Sequence, residues 1–309
     1  MCTGTASRMP KSDFAVLLMA HGTPESVDQM ADYLRLVRGG REPSVELVAE
    51  MTRNWQAIGG HSPLTDITLK QGEALQAQLT SEGVSVPVAV GMRNWKPFIA
   101  DAVKQIAASG VSKVIGIPLA PQFSTLSVQK YIDAAKTALP AGMAFTCVQS
   151  FHDHPLLIEA FAENLVGERP AVGEEVIFTA HSLPQRVAVS GDPYPDEVST
   201  TAKLVAQRAG VTSFLRAYQS AGRTPEPWLG PDLGELIRAR VGAGVKRFLV
   251  APIGFVCDHT EILFDIDVQA AEAARGAGAT LRRMPSLNTS PTFIRTLAAL
   301  AVQTAANAS

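Results

Sequence analysis

The sequence predicts an α/β protein of two Rossmann-like, doubly wound, parallel-sheet domains that face each other across a cleft. Two observations predict it: apolar runs alternate with helix-periodic stretches, and the second half of the chain repeats the pattern of the first. The apolar runs are FAVLLMA (14–20), VPVAVGM (86–92), KVIGIPLA (113–120), MAFTCV (143–148) and VIFTA (176–180). Such continuous runs are typical of strands buried on both faces of a parallel sheet.

Helical periods separate the strands of the first half. They cover roughly 26–38, 66–80, 96–109 and 126–138. Strand and helix in alternation imply right-handed crossovers, and hence a doubly wound sheet.

The second half begins the same pattern again. VIFTA runs into HSLP as LLMA runs into HGTP, and residues 101–121 match 235–255 as helix, glycine turn, strand and Pro-containing exit. The boundary is predicted near SFHDHP (150–155), which gives an N-terminal domain of 13–155 plus a C-terminal helix, 291–306, and a second domain of 156–290. Ligands of such sheets bind at the C-terminal ends of the strands.

Composition narrows the class of protein. The 309 residues carry 27 Lys and Arg against 29 Asp and Glu, a net charge of -2, so nucleic acid is not an expected partner. Three cysteines (Cys2, Cys147 and Cys257) with no C-x-x-C spacing predict reduced thiols rather than disulfides or an iron–sulfur cluster. The leader of about a dozen residues lacks a signal-peptide core and no run is long enough to span a bilayer, so a cytoplasmic protein is predicted.

Two strand-end histidines, His21 and His181, are the first candidates for chemistry. A single histidine at such a place is more often a structural residue, but equivalent positions in two halves favour a functional pair. An imidazole suits a borderline metal such as Fe2+ or a proton acceptor near neutral pH.

The densest acidic cluster is PIGFVCDHTEILFDID (252–267). Asp258, Glu261 and Asp265 follow an i, i+3, i+7 spacing, which predicts three carboxylates on one helical face. The alternative is an acidic first helical turn that stabilises the helix dipole. Carboxylates with one imidazole would make a weak, labile site for a divalent cation.

Two further groups suit anionic ligands. Arg35, Arg38 and Arg41 surround a Gly-Gly turn and could clamp carboxylates, although solvated arginines explain each one equally well. PQFSTLSVQKY (121–131) supplies hydroxyls at a strand-to-helix junction, where capping is the alternative. Neither nucleotide-binding glycine motif is present.

Taken together, several motifs make the whole chain resemble a ferrochelatase, most closely the short bacterial enzymes that act on coproporphyrin III. They are LLMAHGTPES, IGGHSPLTDIT, LAPQFSTLSVQKY, TAHSLP, GDPYP, YQSAGRTPEPWLGPD, PIGFVCDHTEILFDID and LNTSPTFI. The resemblance implies a chelatase-like fold whose cleft holds a flat tetrapyrrole.

The resemblance also implies roles for single residues. His181 and Glu261 are the implied catalytic pair, and with Asp265 they form the implied path of the metal. The implied substrate-binding residues are His21, Arg38, Asn54, Trp55, Ser62 and Tyr131. His21 stands where relatives have a Tyr that ligates product iron, Asn54 where they have an Arg, and Gln269 where a further carboxylate extends the acidic path.

The implied reaction is insertion of Fe2+ into coproporphyrin III in haem biosynthesis. Fe2+ is then a substrate, and no prosthetic group or iron–sulfur cluster is expected, in a monomer without an integral membrane segment. The alternatives are a protoporphyrin IX ferrochelatase, a sirohydrochlorin-type cobalt or iron chelatase, and a non-catalytic haem carrier.

Overall fold

A computed structural model describes residues 14–222 and 224–308 of the chain, which contain two four-stranded parallel sheets. This confirms the predicted α/β class with two doubly wound sheets. The predicted leader, Cys2 and Asp13, the first residue of the predicted N-terminal domain, lie outside the described residues.

The first sheet has the spatial order β2-β1-β3-β4. Its strands are β1 (Phe14–Ala20), β2 (Val88–Met92), β3 (Lys113–Pro118) and β4 (Ala144–Cys147). The accompanying helices are α1 (Met30–Val37), α2 (Val45–Ala57), α3 (Leu64–Ser81), α4 (Ile99–Ala108) and α5 (Val128–Ala138). Helices connect each strand of this sheet to the next one along the chain, so neighbouring parallel strands are joined by helical crossovers.

The second sheet repeats this order as β6-β5-β7-β8. Its strands are β5 (Glu175–His181), β6 (Leu215–Gln219), β7 (Arg247–Pro252) and β8 (Thr280–Arg283). Its helices are α6 (Pro155–Gly167), α7 (Arg186–Val189), α8 (Tyr194–Ala209), α9 (Leu233–Gly242), a π-helix (Ile262–Ala270) and α10 (Ala271–Gly276). The last helix, α11 (Pro291–Asn307), packs back on β3 and β4 of the first sheet. The first strand of each half, β1 or β5, is therefore the second strand in its sheet. The two halves share one strand order, as the repeated sequence pattern predicts.

The element boundaries differ from the predictions in a few places. The strand predicted over 86–92 begins at Val88, because Pro87 has no N–H to give to a ladder. The helix predicted over 26–38 divides into a 3₁₀ turn, Val27–Gln29, and α1. Helix α2 was not among the predicted helices, although Ser44 caps it by accepting a hydrogen bond from the Leu47 N–H at 3.2 Å.

The largest apolar cluster joins the two halves. It contains Val16 of β1, Phe178 of β5, Leu249 of β7 and Phe293 of α11, each no more than 1% exposed. Helix α11 packs against both α3 and α6. The two sheets therefore share one core, while the predicted domain limits stay a prediction.

Two glycines let the backbone pass closely at the strand ends that face the cleft. A Cβ on Gly22, which has φ +89°, would lie 2.8 Å from the backbone nitrogen of Trp95. A Cβ on Gly254 would lie 2.7 Å from the Cβ of Ala180. Both approaches fix the chain beside a strand-end histidine. None of the helices in the described ranges is both long and apolar enough to cross a membrane.

Candidate active site

A cleft between the carboxyl ends of the two sheets encloses about 1250 Å³ of empty volume, including open solvent at its mouth. Both halves contribute to its lining. The lining side chains with polar or aromatic groups include His21, Tyr33, Ser62, Arg93, Gln122, Tyr131, His181, Tyr194, Phe255, His259, Thr260 and Glu261. The structure therefore brings both strand-end histidines and Glu261 to one cavity.

His181 is held in one tautomer by the backbone. Its Nδ1 contacts the carbonyl oxygen of Ser182, which can only accept, so Nδ1 carries a proton and donates it. The Nε2 atom then faces the Glu261 carboxylate at 3.5 Å. From the other side, the Tyr194 hydroxyl donates to the carbonyl oxygen of His181 at 2.9 Å.

Glu261 lies between two imidazoles. The Nε2 atoms of His181 and His259 are 3.5 and 3.8 Å from its Oε2 atom. The Nδ1 atom of His259 donates to the carbonyl oxygen of Cys257, 3.1 Å away, so this ring also presents Nε2 to the carboxylate. Phe255 packs against both imidazoles.

The carboxylate and the imidazoles set each other's charge. Burial is the largest single influence on His181 and favours the neutral ring, but the charge of Glu261, its hydrogen bond to the ring, the Ser182 carbonyl and the charge of Asp265 together outweigh it. They raise the pKa of His181 to about 9. Burial would likewise raise the pKa of Glu261, yet the facing imidazoles lower it well below its usual range. The resting pair is therefore imidazolium and carboxylate near neutral pH.

Asp265 lies behind Glu261 on the π-helix. Burial, and then the charge of Glu261, raise the pKa of Asp265 to about 6, while the Ser220 hydroxyl donates to its Oδ2 atom. In a π-helix the i→i+5 hydrogen bonds widen each turn, so positions four to five apart share a face. Glu261 and Asp265, four apart, therefore lie on the same side.

Asp258 is not the third carboxylate on this face, and that part of the sequence prediction was wrong. Its Oδ1 atom accepts hydrogen bonds from Arg283 at 3.0 Å and Ser286 at 2.7 Å, and its Oδ2 atom accepts from Asn288 at 3.0 Å. These bonds lower the pKa of Asp258 despite partial burial. The i, i+3, i+7 rule fails because Asp258 precedes the helix, whose turns are then wider than those of an α-helix.

His21 occupies the opposite half of the cavity. The Nδ2 atom of Asn94 lies 3.0 Å from its Nε2 and 3.2 Å from its Nδ1, and Tyr33 packs edge-on at 6.2 Å. Burial and then the positive charge of Arg93 lower the pKa of His21 to about 4. His21 is therefore a neutral imidazole at physiological pH, unlike His181.

The same half supplies the other predicted contacts that reach the cavity. Ser62 is 1% exposed, and its hydroxyl has no hydrogen-bond partner among the described residues. Tyr131 is 9% exposed and lies beneath the Arg93 guanidinium, 5.5 Å from the ring centre. Burial raises the pKa of Tyr131 to about 12, so its hydroxyl stays a donor.

Three predicted contacts lie outside the cavity lining. Arg38 is exposed at the end of α1, and Asn54 is partly buried on α2. Trp55 is 2% exposed, and its Nε1 atom donates to the Thr260 hydroxyl at 3.0 Å. This bond ties α2 to the residue that precedes Glu261.

Sequence motifs far apart in the chain meet around His181. The Ser182 hydroxyl of HSLP donates to the carbonyl oxygen of Leu229 in PWLGP at 2.7 Å. Asp192 of GDPYP accepts from the Ser124 hydroxyl at 3.1 Å and from the backbone N–H of Thr125 at 2.8 Å. The hydroxyl-rich 121–131 segment thus docks on the second half.

The sequence-based site omitted several side chains that the structure places here, notably His259, Arg93, Asn94 and Tyr33. Only His259 carried a signal, because it stands two residues before Glu261. In the described part of the chain, no three His, Cys, Asp or Glu side chains are gathered closely enough to hold a metal ion. Around Glu261 the structure shows an ion pair with two imidazoles.

Solved structures with the same fold include the sirohydrochlorin chelatase SirB. SirB from Bacillus subtilis, solved with Fe3+, superposes with a TM-score of 0.59 at 13% identity and covers 96% of each chain. The cobalt complex of SirB from Bacillus subtilis subspecies spizizenii gives a TM-score of 0.58 at 12% identity, over 95% of this chain and 96% of that one. At these identities the likeness shows the fold alone.

Sequence relatives are more specific. A protein named ferrochelatase from Deinococcus radiodurans is 45% identical over 302 residues, which cover 94% of this chain and 96% of the relative. A coproporphyrin III ferrochelatase from Geobacillus sp. strain WCH70 is 37% identical over 306 residues, 96% of this chain and 99% of the relative. The ferrochelatase family model matches residues 13–305. The chain therefore belongs to the ferrochelatase family.

Proposed function

We propose that the protein inserts Fe2+ into coproporphyrin III and forms Fe-coproporphyrin III. The observation that carries the proposal is the arrangement of Glu261, held between His181 and His259, opposite the neutral His21 across an open cavity. Two pyrrole N–H bonds break, four Fe–N bonds form, and two protons leave. A flat ring between the two halves would present one face to each set of imidazoles.

The metal side begins at Asp265 and ends at His181. Carboxylate oxygens bind hard divalent ions weakly and reversibly, as a delivery path requires. When Fe2+ reaches the Glu261 carboxylate it competes with the proton of His181 for the same charge, so arrival of the metal releases that proton. The freed Nε2 atom of His181 is then a ligand or a base beside the ring.

Proton transfer uses the same pair. A neutral His181 accepts a pyrrole proton at Nε2, and the Glu261 carboxylate stabilises the imidazolium that results. General-base assistance is typically worth about 10²–10⁴-fold, so the rest of the rate must come from holding the ring and the metal in place.

The remaining residues hold the porphyrin. Ser62 and Tyr131 offer hydroxyl groups inside the cavity, Arg93 offers a cation for a propionate, and His21 offers a neutral ring nitrogen for the iron of the product. Arg38, Asn54 and Trp55, on α1 and α2, would act at the rim or through contacts of these helices. Insertion changes no oxidation state, so the reaction needs neither a prosthetic group nor an iron–sulfur cluster.

The choice of coproporphyrin III draws on the curated relatives, several of which bear the name coproporphyrin III ferrochelatase while others are named ferrochelatase only. The test is an anaerobic assay of Fe2+ insertion into coproporphyrin III, protoporphyrin IX and sirohydrochlorin. The highest kcat/KM is expected with coproporphyrin III. A preference for protoporphyrin IX would reject the substrate, and a preference for sirohydrochlorin would reject the porphyrin class.

The catalytic pair is tested by His181→Ala and Glu261→Gln. Each is expected to lower kcat by about 10²-fold or more, because each removes one half of the proton relay, while porphyrin still binds. His154→Ala, which changes a helix-capping histidine outside the cavity, is the control and should retain kcat. Normal insertion by both site variants would identify a carrier or a different catalytic group.

A further inference from the structure

Arg283, at the end of β8, joins two carboxylates that flank the metal path. Its Nε and Nη2 atoms donate to the two oxygens of Asp267 at 2.7 and 2.9 Å, and its Nη1 atom donates to Asp258 at 3.0 Å. The Arg283 side chain is only 13% exposed. One guanidinium therefore binds both Asp258, which precedes Glu261, and Asp267, which follows Asp265.

The Asp258 end of this contact is anchored further. The backbone N–H of Asp258 donates to the side chain of Asn288 at 2.9 Å, and the Asn288 carbonyl accepts from Gln71 of α3 at 2.8 Å. Arg283 is thus connected to the first half of the molecule. Its position does not depend on the π-helix alone.

This arrangement divides the four carboxylates between residues 258 and 267 into two pairs. Asp258 and Asp267 share the charge of Arg283. Glu261 instead lines the cavity, and the charges of His181 and His259 act on both Glu261 and Asp265. We propose that Arg283 is a positioning residue that fixes the π-helix and withholds Asp258 and Asp267 from the metal. The inference rests on the proposed function, because it concerns the delivery of Fe2+ to that site.

The physical reason is the fate of the carboxylates without the guanidinium. Asp258 and Asp267 contact the same small group, so they are close neighbours with like charge, and they are only 23% and 36% exposed. Paired carboxylates that lose their cation are oxygen ligands suited to a divalent ion. The π-helix would also lose the contact that ties its Asp267 to Asp258, which precedes it.

The test measures metal binding as well as activity. In Arg283→Met, titration of the porphyrin-free protein with Mn2+ is expected to show one additional site per chain. The kcat for iron insertion is expected to fall by about 10- to 100-fold, as for other residues that orient metal-binding groups, with porphyrin affinity unchanged. Asp258→Asn combined with Arg283→Met should remove the additional Mn2+ site.

The neighbouring arginine supplies a matched control. Arg282 also bridges two carboxylates, those of Glu168 and Glu174, at 2.6 and 2.7 Å, but these lie away from the cavity lining. Arg282→Met should lower stability while leaving kcat and the KM for iron unchanged. Equal kinetic effects of the two methionine variants would reduce Arg283 to a structural residue and overturn the inference.

Arg283→Lys keeps the test decisive if the methionine variant does not fold. An ammonium group supplies the charge but cannot hold two carboxylates in the fork geometry of a guanidinium. Arg283→Lys should therefore bind no additional Mn2+ and still lose kcat, and a parental kcat would overturn the positioning role. Failure of the parent protein to insert iron would instead reject the proposed function. The number of Mn2+ ions bound by Arg283→Met would still test whether Arg283 withholds Asp258 and Asp267 from metal.

Discussion

At the level of single residues, the two halves offer the cleft one neutral and one positively charged histidine. Burial and Arg93 keep His21 neutral, with its pKa at about 4, whereas Glu261 raises the pKa of His181. A porphyrin between them would meet a ready ligand on one face and a proton-bearing group on the other. Both histidines follow the end of a buried strand, so their different charges come from the groups around them, Arg93 beside His21 and Glu261 beside His181.

The charge of His181 makes metal binding depend on pH. His181 must lose a proton before its Nε2 atom binds metal, so affinity for Zn2+ should rise with pH, with a midpoint above the ordinary imidazole value of about 6.5. In Glu261→Gln the raising charge is gone and burial remains, so the midpoint should move to lower pH. Titration calorimetry at several pH values measures both.

An exposed pair provides the control for this prediction. His61 lies 3.5 Å from Asp66, the same distance as His181 from Glu261, but both side chains are more than half exposed. Neither group lines the cavity, so Asp66→Asn should leave the midpoint of Zn2+ binding where it is in the parent. The same midpoint in Glu261→Gln and the parent would show that loss of a proton from His181 does not control Zn2+ binding.

The residues of the site were only partly predictable. His21, His181 and Glu261 could be found because each follows a strand end or a recognisable motif. The pairing of Asp258 with Arg283, Ser286 and Asn288 could not, since it joins positions 25–30 residues apart that meet only in the folded sheet. Trp55, a predicted porphyrin contact, instead reaches Thr260 across a separation of 205 residues.

At the level of elements, the order of strands follows from the sequence while the π-helix does not. A buried parallel strand is recognisable in a sequence as an apolar run bounded by turn residues. A wider helical turn leaves no comparable local period, so the 252–267 segment was assigned α-helical spacing. In the π-helix, Ile262–Ala270, Glu261 and Asp265 still share one side, as residues four apart also would in an α-helix.

The close approach of β5 and the exit of β7 can be tested at Gly254. A Cβ there would lie 2.7 and 2.8 Å from the Cβ and Cα of Ala180, so Gly254→Ala should displace the backbone next to His181. Overpacking of this kind costs about 1–3 kcal/mol of unfolding free energy. Urea denaturation gives the loss, and kcat should fall with it.

Gly276→Ala is the matched control for this change. Gly276 ends α10, and its added Cβ would meet no atom within 4 Å. Alanine at such a helical position is expected to stabilise the protein by up to about 1 kcal/mol, chiefly through the unfolded state. A neutral Gly254→Ala would mean that the strands adjust without moving the site.

At the level of the whole molecule, the two halves are expected to unfold together. They share one apolar core, and Asp192 of the second half accepts hydrogen bonds from Ser124 and Thr125 of the first. Amide hydrogen exchange should therefore give the same opening free energy for β1 and β5. Markedly different values for the two strands would show independent domains.

Asp192→Ala tests the contact between the halves. Hydrogen bonds to a charged group are worth about 1.5–3 kcal/mol each, so the variant should lose about 3 kcal/mol or more, equally in both sheets. Asp133→Ala, which removes an exposed carboxylate that bonds to Gln129 on α5, should change stability little. A loss confined to one sheet would contradict a shared cooperative unit.

The shared core also bears on how the chain folds during synthesis. Phe293 and Leu297 of α11 belong to the cluster that covers Val16 and Leu18 of β1, although the two segments lie at opposite ends of the described chain. On the ribosome, β1 emerges long before α11. Until α11 is available to pack against it, part of the apolar face of the first sheet stays exposed. We therefore expect that the nascent first half needs protection from aggregation until Pro291–Asn307 has left the exit tunnel.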